Sequence, residues 1–214
     1  MSAPETALVA IYADESCLGN GREGDNPGGA GGLVEYRRET GEIVRRDYWI
    51  SEPGTTNNRM ALRSVIEGFR ALGAKGRTFE VVFTSDSKYL ISGMTEWVFG
   101  WARRGWRRSG GAIENLELWW EAIRAVGDHR VAWRWVRGHD GHPQNEYANH
   151  LATRAARAQD HSGGLIPSRF DTWLNTERDG GTAHMPPFPF PPRETFRPDR
   201  TLPVPPASDL GIFA

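Results

Sequence analysis

The chain has 214 residues, and its 26 basic and 27 acidic side chains give a formal net charge of -1. This balance argues against a protein that binds membranes or polyanions through overall charge, although it leaves room for a local basic patch. The single cysteine, Cys17, excludes an intramolecular disulfide and a cysteine-based zinc site. No window approaches the ~18 apolar residues of a membrane span, so we expect a cytoplasmic protein that makes no membrane contact.

The first part of the chain predicts three strands and a helix. Leu8 to Ala13 is typical of a buried strand, which we expect to end at Asp14, and strands around residues 32–37 and 42–50 follow a Gly-rich loop. Residues 56–58 (Thr-Asn-Asn) then supply side chains that cap a helix N-terminus, and apolar residues continue behind them at helical spacing.

The next part predicts two more strands, each followed by helices. Phe79 to Ser85 is a fourth strand that ends at Asp86, residues 97–125 are helical in pieces, and residues 131–136 alternate as a fifth strand. Pro143 occupies the first position of a final helix. The order β-β-β-α-β-α-β-α predicts an α/β protein with a mixed, five-stranded sheet flanked by helices.

A change of composition near residue 160 predicts a domain over residues 7–160 and a proline-rich C-terminal extension over residues 161–214. Nine of the fourteen prolines fall between Pro186 and Pro206. Because proline fixes φ and lacks an amide donor, this stretch is either an extended tail or a strap across the domain. Interleaved aromatic residues favour partial docking, since disordered segments usually lack them. They are Phe188, Phe190 and Phe196.

Asp14 and Asp86 each end a predicted strand. If the two strands are neighbours, the carboxylates converge at one edge of the sheet, where they repel each other unless a cation or a shared proton intervenes. Mg²⁺ prefers oxygen ligands of this kind. On these two residues alone, solvated aspartates that cap turns are the alternative.

Six segments in a fixed order carry more information than any single motif. They are YADESCLGN, TTNNRMAL, TSDSKYL, WVFGWARRGW, ENLELWW and WRWVRGHDGHPQNEYANHLA. Together they resemble the bacterial type 1 ribonucleases H over about Leu8 to Ala156. The resemblance implies the ribonuclease H fold, hydrolysis of the RNA strand of RNA–DNA hybrids, and a pair of Mg²⁺ or Mn²⁺ ions.

The resemblance also implies a site that departs from the family at two positions. Asp14 and Asp86 match metal-binding aspartates, and His139 matches a mobile catalytic histidine. Ala61 stands in place of the family's glutamate and Asn149 in place of its last aspartate, although Asn149 keeps a neutral oxygen ligand. Two charges in place of four predict a weakly held second ion and reduced or abolished activity. The alternative is an inactive module that binds hybrids, and the substitutions fit either a natural lineage or deliberate inactivation.

Three other acidic residues lie close to these positions in the sequence. We expect Glu15 to point away from Asp14, because successive residues of a strand face opposite sides. Glu146 is better placed, three residues before Asn149 on one helix. Surface roles are favoured for both and for Asp140.

A basic and aromatic block and several polar residues indicate a nucleic-acid surface. The block comprises Trp97, Trp101, Arg103, Arg104, Trp106, Arg107 and Arg108. A helical hairpin with a tryptophan core is its alternative. By the resemblance, the block matches the protrusion that holds the DNA strand, Thr56 and Asn115 match DNA phosphate contacts, and Asn20, Asn57 and Asn58 match residues near the RNA 2′-hydroxyls. An arginine common in the family is replaced by Gly54, and a monomer is expected.

Overall fold

The computed structural model describes residues 6–19, 26–74, 76–138, 140–181 and 186–207. Within these ranges one mixed sheet has the strand order β5-β4-β1-β2-β3-β6. The strands are β1 (Leu8–Cys17), β2 (Gly28–Arg37), β3 (Ile43–Glu52), β4 (Glu80–Ser85), β5 (Arg130–Trp135) and β6 (Ile166–Pro167). β4 lies parallel to β1 and to β5, whereas β1, β2, β3 and β6 are joined by antiparallel pairs.

Helices cover both faces of the sheet. They are α1 (Asn57–Gly73), α2 (Lys88–Ser92), α3 (Val98–Arg103), α4 (Leu116–Val126), α5 (Pro143–Ala158) and α6 (Phe170–Asp179), with a π-helical turn (Gly93–Trp97) between α2 and α3. Apolar residues of α1 and α4 form the larger core with one face, and α5 packs on the other. The predicted α/β class and the mixed sheet are confirmed. No helix in the described part of the chain combines the length and the apolar character needed to cross a bilayer.

The prediction of five strands is wrong, because the sheet has a sixth. β6 pairs with β3 through only two residue pairs, Arg46 with Pro167 and Asp47 with Ile166. A two-residue strand that contains a proline leaves no alternating pattern in the sequence. β1 also continues past its predicted end at Asp14, because its pairing with β2 extends to Cys17 and Gly28.

The segment after residue 160 packs on the sheet and on α5. Phe170, Leu174, Phe190 and Phe196 are buried in one cluster with apolar residues of β1, β2 and α5. Farther along, the Asp199 carboxylate accepts a 2.7 Å hydrogen bond from a β5 amide. The proline-rich stretch therefore lies on the folded part of the chain as a strap, while a domain boundary at residue 160 stays a prediction.

Candidate active site

The carboxyl ends of the parallel strands β1 and β4 place acidic side chains side by side. The pairing of the two strands ends at Ala13 and Ser85, and Asp14 and Asp86 follow directly. Asp14 is only 7% exposed, although its side chain is ionisable. Carboxyl ends of parallel strands are common ligand sites in α/β sheets. The convergence that the sequence predicted for these two aspartates is present.

Glu15 completes a cluster with the two aspartates. Asp14, Glu15 and Asp86 can each contribute one oxygen so that all three oxygens lie within 4.8 Å of one another, and we call them the acidic cluster. The expectation that Glu15 points away from Asp14 is wrong. β4 stops pairing with β1 at Ala13, so no β4 partner lies beside Glu15, and its longer side chain reaches the edge where Asp86 lies.

The electrostatics of the acidic cluster favour a bound cation. Burial raises the pKa of Asp14 above its usual range, and the carboxylates of Asp86 and Glu15 raise it further. Burial and the Asp86 carboxylate also raise the pKa of Glu15, to about 8. A hydrogen bond from Ser87 lowers this pKa but does not offset the two raising effects. Among the described residues, the buried Oε2 of Glu15 has no hydrogen-bond partner. Closely spaced carboxylate oxygens, one of which lacks a hydrogen-bond partner among the described residues, are suitable ligands for a hard divalent ion such as Mg²⁺.

Asn145 on α5 supports the acidic cluster from the side. It is 1% exposed, and its Nδ2 donates to Oδ2 of Asp14 at 3.4 Å and to the carbonyl oxygen of Ala13 at 3.5 Å. A second bond to Asp14 comes from the backbone N–H of Glu15, at 2.6 Å. These neutral donors orient the carboxyl group and place no positive charge beside it.

A polar cleft lies at the N-termini of α1 and α4. It has a volume of about 500 Å³ and is lined by Thr56, Asn57, Asn58, Arg59, Glu114 and Asn115; we call it the asparagine cleft. Thr56 caps α1 by accepting a 3.4 Å bond from the Arg59 N–H. The Oδ1 of Asn57 is buried and has no partner among the described residues. The structure thus brings together four residues predicted to contact nucleic acid.

The basic and aromatic block divides into an exposed and a buried part. Arg103, Arg104, Arg107 and Arg108 are all exposed. Trp97 is 37% exposed, whereas Trp101 is 9% exposed and meets Trp119 edge-on at 5.6 Å between ring centroids. Trp106 has a positive φ of 61° and packs edge-on against Trp120. The arginines therefore form the accessible surface, and Trp101 supports it from the core.

Comparison with known proteins decides the family. The family model described as RNase H matches residues 6–157. A protein named Ribonuclease H from Pseudomonas entomophila (strain L48) is 43% identical over 147 residues, which are 68% of this chain and 91% of that protein. The chain belongs to the RNase H family.

Solved structures agree with the RNase H assignment. A crystal structure of LC9-RNase H1, described as a type 1 RNase H with the type 2 active-site motif, is 60% identical and covers 100% of both chains with a TM-score of 0.90. A foamy viral protease-reverse transcriptase in complex with an RNA/DNA hybrid matches 73% of this chain and 22% of its own, with a TM-score of 0.58 and 14% identity. The latter likeness shows the fold alone.

Ala61 and Asn149 are the two positions that the sequence predicted to depart from the RNase H pattern. Ala61 is fully buried among apolar core residues and offers no ligand atom. Asn149 is half-buried on α5, one turn after Asn145, and its Oδ1 accepts a 3.2 Å bond from the Thr153 hydroxyl. The third carboxylate of the acidic cluster comes from Glu15 on β1, not from α1.

Sequence reasoning considered Glu15 but favoured a surface role for it, and it missed Asn145. For Asn145 a usable signal existed, because it lies four residues before Asn149 and so shares a helix face with it. Of the other acidic residues considered, Asp140 is exposed and Glu146 accepts a 3.1 Å bond from the Gly141 N–H. His139 and Asn20, two further predicted site residues, lie outside the described residues.

Proposed function

We propose that this RNase H family member hydrolyses the RNA strand of RNA–DNA hybrids with divalent metal ions held by the acidic cluster. The observation that carries the proposal is the convergence of Asp14, Glu15 and Asp86 within 4.8 Å at one sheet edge. We assign Asn149 as a neutral fourth ligand, because its position on α5 matches the family's last aspartate. The ions are Mg²⁺ or Mn²⁺, two in each site as in the family.

Each group of residues has a distinct task in this proposal. The bound ions supply an activated water and stabilise the leaving oxygen. The acidic cluster holds them, and Asn145 keeps Asp14 oriented through its 3.4 Å bond. The unpartnered Oδ1 of Asn57 is an acceptor suited to an RNA 2′-hydroxyl. The exposed arginines of the basic and aromatic block contact the phosphates of the DNA strand.

Glu15 changes the expected activity. A site with two carboxylates predicts reduced or abolished cleavage, whereas the acidic cluster has three, and a third negative charge offsets more of the repulsion between two ions. We therefore propose an active enzyme. The 60% identical LC9-RNase H1, described as a type 1 enzyme with the type 2 active-site motif, supports a type 1 chain with a rearranged ligand set. An attenuated enzyme or an inactive hybrid-binding module is the second candidate, favoured by Ala61 and Asn149.

The test is cleavage of an end-labelled RNA–DNA hybrid with Mg²⁺ and, separately, with Mn²⁺. We expect internal cleavage of the RNA strand, and no cleavage of a DNA duplex of the same sequence. The Glu15→Gln chain is the matched control, because it keeps the shape of the side chain and removes its charge. Tight hybrid binding without cleavage under either metal would favour the inactive binding module.

Location and assembly complete the proposal. The single cysteine and the balanced charge fit a cytoplasmic protein, and we propose that the chain acts as a monomer. Light scattering with and without hybrid measures the assembly state. A dimer that is needed for cleavage would contradict the proposal that the chain acts as a monomer.

A further inference from the structure

We infer that Phe188 and Gln144 are positioning residues for the metal site. Through these two residues the C-terminal extension holds the start of α5 in place, and the start of α5 in turn holds the orientation of Asp14. The inference rests on the proposed function. It assigns a positioning role to Phe188, which lies in a segment outside the 6–157 range matched by the family model.

The first contact joins a buried side chain to the backbone of the extension. Gln144 is 0% exposed. Its Nε2 donates to the carbonyl oxygen of Phe188 at 2.8 Å, and its Oε1 accepts from the Phe188 N–H at 3.1 Å. Both polar groups of one peptide residue are thus bound by one amide, which fixes the strap relative to α5 in direction and in distance.

The second contact is an aromatic stack on the residue that caps α5. The His142 ring lies 4.3 Å from the Phe188 ring at an interplanar angle of 17°, and Tyr12 of β1 contacts it at 5.4 Å. His142 caps α5 by accepting a 3.4 Å bond at Nδ1 from the Asn145 N–H. The cap is therefore held between β1 and the extension.

The third contact reaches the acidic cluster. The bonds from Asn145 Nδ2 to Oδ2 of Asp14, at 3.4 Å, and to the Ala13 carbonyl oxygen, at 3.5 Å, are near the upper limit for hydrogen bonds. A small shift at the start of α5 therefore breaks them. Groups that orient metal ligands from behind affect metal affinity although they do not touch the ion.

The extension itself provides a matched control. Phe196 is 8% exposed, whereas Phe188 is 40% exposed. Phe196 lies near Arg130 of β5, 5.9 Å from the guanidinium carbon, and not against the cap of α5. A purely packing role predicts that Phe196→Ala is the more harmful change in every assay. A positioning role predicts that Phe196→Ala lowers the stability more, whereas Phe188→Ala weakens metal binding more.

The experiment compares Phe188→Ala, Phe196→Ala and the conservative Phe188→Tyr in the full chain, below the Tm of all three. The readouts are the Tm without metal, the Mg²⁺ Kd from calorimetry without substrate, and single-turnover cleavage of the hybrid. We expect Phe196→Ala to lower the Tm most and to leave the Mg²⁺ Kd within about twofold. We expect Phe188→Ala to weaken Mg²⁺ binding about three- to tenfold and to slow cleavage with the hybrid KM unchanged. We expect Phe188→Tyr to bind Mg²⁺ and to cleave the hybrid as the wild type does.

Gln144→Met provides an independent test, because it removes both bonds to Phe188 at similar volume. We expect the same Mg²⁺ effect as for Phe188→Ala. An unchanged Mg²⁺ Kd in Phe188→Ala and Gln144→Met would overturn the positioning role. So would Mg²⁺ binding that is weakened equally in Phe196→Ala. In either case, a wild-type chain that cleaves the hybrid leaves the proposed function intact. A wild-type chain that neither binds Mg²⁺ nor cleaves would overturn both.

Discussion

The two ends of β4 carry acidic residues in opposite electrostatic settings. At the first residue of the strand, Glu80 is 8% exposed and forms ion pairs with Arg130 at 2.7 Å and Arg193 at 2.6 Å. Just past the last residue, Asp86 lies in the acidic cluster with two more carboxylates. One end therefore has two cations for one carboxylate, and the other has three carboxylates, of which Asp86 raises the pKa of both Asp14 and Glu15.

The difference separates a structural carboxylate from a ligand. Ion pairs around a buried carboxylate compensate its charge without any further partner, so that removing one partner is destabilising. Carboxylates whose pKa values are raised by burial and by one another oppose folding in their charged form and gain most from a cation. Burial of an acidic residue alone does not distinguish these cases, whereas the charge that surrounds it does.

The largest expected effect is on catalysis at the acidic cluster. Glu15→Gln should lower single-turnover cleavage by about 100-fold or more, because it removes one of three charged ligands. Glu80→Gln, the same chemical change at the other end of β4, should leave the rate within about twofold. Rates measured at saturating Mg²⁺ check the pair. A Glu15→Gln chain that cleaves at the wild-type rate would exclude Glu15 from the ligand set.

The second effect is a pH dependence of stability that Mg²⁺ reverses. Folding raises the pKa of Glu15 to about 8 and raises that of Asp14 as well, so the folded state binds more protons than the unfolded state. The contribution to stability is fully present below the ordinary carboxyl pKa of about 4 and is lost as the pH rises through about 8. Mg²⁺ at about 100 times its Kd should add about 2.7 kcal/mol.

Thermal unfolding with and without Mg²⁺ at mildly acidic and mildly alkaline pH measures this effect. The gain in Tm on adding Mg²⁺ should be larger on the alkaline side, where the carboxylates are ionised. In Glu15→Gln the gain should shrink, and the metal-free Tm should fall less towards alkaline pH than in the wild type, because only Asp14 of the two still loses a proton there. An equal Mg²⁺ gain at both pH values would contradict the raised pKa values.

The third effect is on stability at the structural end of β4. Glu80→Gln should lower the free energy of unfolding by about 1.5–2 kcal/mol, because hydrogen bonds to charged groups contribute about that much. The loss should be the same with and without Mg²⁺, as urea unfolding can measure. A loss that depends on Mg²⁺ would link the two ends of the strand and break the distinction between them.

The smallest effect tests whether the third carboxylate can come from α1. The double change Glu15→Ala with Ala61→Glu should recover about tenfold of the cleavage lost in Glu15→Ala, about 1.4 kcal/mol, because position 61 is predicted to correspond to the family's glutamate. Ala61→Glu alone should give no gain over the wild type, since Glu15 already supplies that charge. A clear gain from Ala61→Glu alone would show that the acidic cluster lacks a ligand.

The sequence predicted the order of the elements from local signals, and it predicted the meeting of Asp14 with Asp86 on the condition that their strands are neighbours, which they are. Buried strands, helical spacing and caps are set by neighbours in the chain, and the carboxyl ends of adjacent parallel strands meet by topology. Thr56, Asn57, Asn58 and Asn115, each predicted separately as a nucleic-acid contact, also lie together in one cleft. Their grouping follows from helix N-termini that lie on one side of the sheet.

What the sequence did not predict depends on where neighbouring chain segments stop or return. The alternation of side chains along a strand assigns Glu15 to the face opposite Asp14. It takes no account of β4, which ends at Ser85 and so leaves space beside Glu15. The contact of Gln144 with Phe188 joins residues 44 positions apart, and no periodic pattern encodes it. The sixth strand was missed for the same reason, because its pairing with β3 is fixed by tertiary contacts.

Ala61 has a consequence for how this chain can vary. An active site normally sets stability against activity, because a polar ligand occupies a position where apolar packing would be more favourable. With Glu15 contributing from β1, position 61 of α1 is filled by a residue that is 0% exposed and packs in the core. The core-facing side of α1 around position 61 is therefore free to be optimised for packing, and a mutation that repacks it can stabilise the protein without removing a proposed metal ligand.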